Sequence, residues 1–155
     1  MDLDRVKRER EWHNETFGTD VRANVGKFYS PFHLLDDEFD ATINEKLKKE
    51  TTVFLDYGCG NGHYLINISS KIKKGIGIDI SETLINHAKT KQKEKNIENL
   101  EFMVMDAMNT SFGSSCFDII HGQSILHHLD LKKSLIEIKR ILNGGGGGGG
   151  AQIFF

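Results

Sequence analysis

The chain has 155 residues, with 20 Lys and Arg set against 22 Asp and Glu for a net charge of −2. That length suits one domain, and the near balance leaves no electrostatic footprint for nucleic acid or an anionic membrane surface. Two cysteines, Cys59 and Cys116, are too few for a disulfide framework or a zinc site, and no run approaches the ~18 apolar residues of a membrane span. No metal, nucleic-acid or membrane partner is expected, and a cytoplasmic location is the default.

Residues 1–50 read as an N-terminal helical and lid segment. Within it, residues 2–13 form a charged, solvated helix. The stretch KFYSPFH surrounds the only proline, Pro31, and reads as a loop. A helix follows, starting near Asp36 or Asp37, with Phe39, Ile43 and Leu47 on one face at i, i+4 and i+8.

From Thr52 the pattern changes, and residues 51–155 read as one α/β domain. The runs TVFLDY, GIGIDI, LEFMVMD and CFDIIHG are short and apolar, each predicting a strand buried on both faces. Helical segments lie between or after them at about 62–72, 81–95 and 131–142, and AQIFF supplies a last strand. Ser81 is the expected N-cap of the second helix, with Leu84, Ile85 and Ala88 facing inward. Leu131, Leu135, Ile138 and Leu142 are the expected inward stripe of the third. Alternation of this kind predicts βαβ crossovers and a doubly wound, mainly parallel sheet with helices on both faces.

In such a sheet, ligands bind beyond the carboxyl ends of the strands, near the point where strand order reverses. The loop after the first strand, YGCGNGH, has glycine at every second position: Gly58, Gly60 and Gly62. Glycines there let the main chain turn tightly and touch a ligand, while the next helix offers unpaired N–H groups. Three acids are spaced to match. Asp79 ends GIGIDI, 21 positions after Gly58, where a carboxylate can accept from a ribose diol. Asp106 ends LEFMVMD and can accept from an exocyclic amine, with the Ala107 N–H beside it for a ring nitrogen. Asp56, two residues before Gly58, can hold an ammonium group directly or through water. Diol, adenine and ammonium together describe a nucleoside joined to an amino acid. The competing readings are a tight turn for the glycines and helix caps or surface acids for Asp79 and Asp106. Asp118 sits at a strand entry and takes a structural role. Cys59, between glycines, is assigned no chemistry.

The ordered set LDYGCGNG, GIGIDIS, FMVMDAMN, FDIIHGQSILHHL and IKRILNGG resembles the class I S-adenosylmethionine-dependent methyltransferases, from about Val53 to Phe155. The resemblance implies a Rossmann-like methyltransferase fold and S-adenosylmethionine as cofactor, with S-adenosylhomocysteine as product. The implied cofactor contacts are Asp56, Gly58, Gly60, Asp79, Ile80, Asp106, Ala107, Gln123 and Tyr29. The loop holding His127 and His128 would border the methyl group, though adjacent residues point apart and a paired metal site is not expected. Phe28, Tyr29 and Phe32 either fold over the cofactor as a lid or pack against the sheet edge. The acceptor is expected to be a small molecule, and no catalytic residue is assigned. A dinucleotide-binding oxidoreductase would place its third glycine at position 63, where this chain has His63. The other alternative is a cofactor-binding scaffold of the same fold without chemistry. Two features depart from the family: Asn143 and Gly144 stand where Lys and Pro are usual, and seven glycines follow at 144–150. The family's sheet has seven strands, so the chain is expected to be truncated after the fifth, with an open sheet edge available for homo-oligomer formation.

Overall fold

A computed structural model describes residues 4, 7, 8, 10, 11, 40–123, 125–142 and 151–155. Its elements are β1 (Val53–Tyr57), α1 (His63–Ile68), β2 (Lys74–Asp79), α2 (Glu82–Glu94), β3 (Leu100–Val104), β4 (Ile119–His121), α3 (Leu131–Ile141) and β5 (Gln152–Phe154). The five strands form one parallel sheet in the order β3-β2-β1-β4-β5. The chain therefore winds outward from β1 through β2 to β3, then returns to the other side of β1 for β4 and β5. The strand order reverses between β1 and β4, which is where a doubly wound sheet opens a crevice.

Strand side chains alternate between two cores. On one face, Phe54, Phe102 and Ile119 pack with Leu65 and Ile68 of α1 and with Ile85 and Ala88 of α2. Ile43, from a helical turn at 40–44, is fully buried in the same core, as its place on an apolar face predicts. On the other face, Leu55, Tyr57, Ile76 and Ile120 pack with Ile138 and Ile141 of α3. The expected doubly wound α/β fold is thus present, with helices on both sides. Ser81 caps α2 as expected, its hydroxyl accepting from the Leu84 N–H at 3.3 Å. Asp130 does the same for α3, accepting from the Lys133 N–H at 3.1 Å.

Four local expectations need correction. β3 is not buried on both faces: Leu100 and Phe102 are buried while Glu101 and Val104 are exposed, because β2 alone pairs with it among the described residues. The inward stripe of α3 is Ser134, Glu137, Ile138 and Ile141, whereas Leu131 and Leu135 are 53% and 48% exposed. A polar network at Glu137, described below, turns that helix face toward the sheet. CFDIIHG yields only three strand residues, preceded by an isolated bridge from Phe117 to Leu142. Between them the Asp118 carboxylate accepts from the Val53 N–H at 2.8 Å, the structural role expected of it. The segment expected to be helical at 62–72 changes from α1 to a 3-10 turn at Ser69–Lys71. Among the described residues, no helix is long and apolar enough to cross a membrane.

Candidate functional site

All three glycines of the loop after β1 adopt left-handed backbone: φ is 82° at Gly58, 53° at Gly60 and 73° at Gly62. An L side chain is strained in that region. Space is also short, since a Cβ at Gly58 would lie 2.7 Å from the Ile125 side chain and one at Gly62 2.7 Å from the Phe102 ring. The loop is tied to the end of β2, because the Gly58 and Cys59 N–H groups both donate to the Ile78 carbonyl at 2.9 Å. Its next N–H, from Gly60, donates to the Asp79 carboxylate at 2.9 Å. The other Asp79 oxygen accepts from the Ser81 N–H at 2.8 Å. Asp79 is 9% exposed, so these two amides replace much of the water a carboxylate would otherwise hold. A carboxylate has about four acceptor sites; two amides leave capacity for two hydroxyl donors.

The loop after β3 reaches the same edge of the sheet. The Met105 N–H donates to the Asp79 carbonyl at 2.9 Å. Asp106 lies two residues past the end of β3 rather than on it, and its carboxylate accepts from the Met108 N–H at 3.0 Å. Ala107 is buried, and its carbonyl accepts from the Tyr57 hydroxyl at the end of β1. Burial, with Glu137 and Asp106 nearby, raises the Tyr57 pKa, so the phenol stays protonated and can donate. Beyond the loop, Glu137 of α3 accepts from the Thr110 N–H and hydroxyl and is bridged by Arg140 at 2.6 and 2.8 Å. The Arg140 hydrogen bond holds the Glu137 carboxyl below its ordinary range. This network fixes the β3–β4 connection onto α3.

Asp56 is deeply buried at the end of β1, directly opposite His121 of β4 in the sheet register. The His121 Nδ1 lies 2.9 Å from the Asp56 Oδ1. Sequence reading missed His121, although the paired ends of neighbouring parallel strands at the reversal point were a signal for it. The Cys59 thiol, buried near Asp56 and Asp79, has its pKa pushed well up by desolvation first and by those charges second. It stays protonated.

The structure therefore brings Asp56, Gly58, Gly60, Asp79, Ile80, Asp106 and Ala107 to one edge of the sheet. Ile80 is half-buried between β2 and α2, and Gln123 is exposed just past β4. The backbone at Leu126–His128 forms a 3-10 turn. Tyr29, with Phe28 and Phe32, lies outside the described residues. No cluster of His, Cys, Asp or Glu suited to a metal ion occurs among the described residues.

Residues 54–146 match the family model described as a methyltransferase domain. A methyltransferase of Bacillus subtilis, YcgJ, is 33% identical over 89 residues, covering 57% of this chain and 35% of that protein. A demethylmenaquinone methyltransferase of Lactococcus lactis is 35% identical over 92 residues, covering 57% of this chain and 36% of its own length. The chain thus spans about a third of these curated relatives. Among solved structures, YcgJ superposes with a TM-score of 0.65 at 28% identity, covering 70% of this chain and 47% of that one. A structure named as a SAM-dependent methyltransferase from Aquifex aeolicus gives 0.64 at 25% identity, covering 78% of this chain and 66% of its own.

Proposed function

The chain belongs to the methyltransferase domain family, and from that premise we propose that it binds S-adenosylmethionine across the ends of β1, β2 and β3 and directs its methyl group to a small-molecule acceptor. The observation that carries this reading is the bond from the Gly60 N–H to the Asp79 carboxylate. It joins the glycine loop to the acid at the end of the next strand and leaves that acid room for a diol.

The residues present fit the group. Asp79 accepts from the two ribose hydroxyls through its remaining lone pairs. Gly58 and Gly60 bring bare backbone against the amino-acid part, where left-handed geometry excludes larger residues. Asp56 balances the ammonium. Asp106 and the Ala107 N–H take the adenine edge, Ile80 supplies apolar contact to the ring, and Gln123 borders the site. When bound, S-adenosylmethionine supplies a methyl group on a sulfonium, which carries its own leaving group. The protein's share is then to orient the two reactants and exclude water, which can account for ~7–11 kcal/mol of the barrier.

A small acceptor is supported by the net charge of −2 and by the demethylmenaquinone methyltransferases among the relatives. The test uses S-adenosylmethionine tritiated in its methyl group, offered with quinols, phenols, protein and RNA. Label appearing in a quinol or phenol supports the reading. Label found only in RNA or protein overturns the acceptor class, and bound cofactor with no transfer to any acceptor favours a non-catalytic module of the same fold.

A further inference from the structure

The pairing of His121 with Asp56 goes beyond what cofactor binding by strand-end acids requires. The two side chains are 3% and 4% exposed, and they face each other across β1 and β4 where the strand order reverses. An ionised carboxylate only accepts, so the ring nitrogen facing it at 2.9 Å, Nδ1, carries the proton and donates. The imidazole is itself held. Tyr64, in the first turn of the helix that follows the glycine loop, stacks on it with ring centroids 4.1 Å apart and planes 15° apart. Phe54 lies beside this stack, its ring centroid 6.1 Å from both rings. Strand pairing alone does not call for a buried hydrogen-bonded carboxylate at this point. Removing His121 would take from the buried Asp56 carboxylate the donor that faces it.

We infer that His121 is a positioning residue, clamped by Tyr64, that fixes the Asp56 carboxylate for the ammonium group of the ligand's amino-acid part. The inference rests on the cofactor reading above and deepens it. Asp56 is the group that meets the ligand; His121 acts through it. The consequence is selective, because a compound with the adenosyl group but no amino-acid part does not use Asp56 and is indifferent to His121.

Calorimetric titration of S-adenosylhomocysteine and of 5′-methylthioadenosine, which lacks the amino-acid part, tests this on the chain, H121F, H121N, D56N and the D56N/H121F double variant, each first shown to melt cooperatively. H121F keeps a ring for Tyr64 but no donor. It is expected to weaken S-adenosylhomocysteine about tenfold or more and to leave 5′-methylthioadenosine within about twofold. H121N restores a donor near the Nδ1 position and recovers most of the loss. The double variant binds no more weakly than D56N, since the two residues act as one unit. If H121F does not fold, H121N against D56N carries the comparison: the first retains the preference for the amino-acid-bearing ligand and the second loses it. Equal weakening of both ligands, or additive losses in the double variant, overturns the inference while leaving the cofactor reading intact. Failure of the unaltered chain to bind either compound overturns both.

Discussion

The Gly60 N–H donates to the Asp79 carboxylate at 2.9 Å, so the loop leaving β1 and the end of β2 are one hydrogen-bonded unit. With the Ser81 N–H on the other oxygen at 2.8 Å, Asp79 both shapes the loop and starts α2. D79N keeps the size of the side chain but turns an amide group toward one of the two N–H donors. Chemical denaturation is expected to show a loss of about 1–3 kcal/mol. Affinity for S-adenosylhomocysteine is expected to fall about tenfold or more. Unchanged affinity in a folded variant would remove Asp79 from the site.

Gly62 separates this loop from a dinucleotide-binding turn and tolerates no side chain. Its φ is 73°, and a Cβ would sit 2.7 Å from the Phe102 ring and 2.9 Å from the Ala88 Cβ. G62A is expected to cost about 2–4 kcal/mol from left-handed strain and overpacking together. Gly113, whose Cβ would meet only the Cys116 Sγ at 3.4 Å, serves as the control. G113A should lie within about 0.5 kcal/mol of the unaltered chain in the same denaturation experiment.

The Tyr57 hydroxyl donates to the Ala107 carbonyl from a buried position, holding the loop proposed to meet adenine. Y57F leaves that carbonyl without its donor. A stability loss of about 1 kcal/mol is expected, along with weaker binding of both S-adenosylhomocysteine and adenosine. Loss for the first ligand alone would place the effect at the amino-acid end instead.

Glu137 links α3 to the β3–β4 connection through Thr110 and Arg140. Its carboxyl is held below its ordinary 4.5, chiefly by the Arg140 hydrogen bond. A depressed carboxyl pKa contributes stability that is present above the unfolded value and lost as pH falls through the folded one. Thermal melting of the unaltered chain should therefore drop as pH is lowered below about 4.5. E137Q should melt lower at pH 7 and show a shallower acid slope. Parallel slopes for the two proteins would contradict this role.

Much of the fold was legible because helix and strand periods differ and the caps are local. Ser81, Leu84, Ile85 and Ala88 fall where spacing alone put them. The glycines and Asp79 were also legible, since their conformation and spacing are fixed within a single βαβ unit. What failed depended on partners far along the chain. Leu131 and Leu135 satisfy a helical stripe, yet the face that packs is chosen by Glu137 meeting Thr110, 27 residues away. His121 was overlooked because its partner, Asp56, is 65 residues distant and becomes adjacent only through the β1–β4 register. The buried-strand expectation for β3 ignored its place at the edge of the order, which no local pattern encodes.

The central claim is that the ends of three adjacent parallel strands hold one adenosyl amino acid. Its most direct test is parallel titration of S-adenosylhomocysteine and NADH into the folded chain in a calorimeter. Saturable one-to-one binding of the first, weakened in D79N and not displaced by the second, is the predicted result. A cooperatively melting chain that gives no heat with S-adenosylhomocysteine, or that binds NADH in its place, would contradict the account.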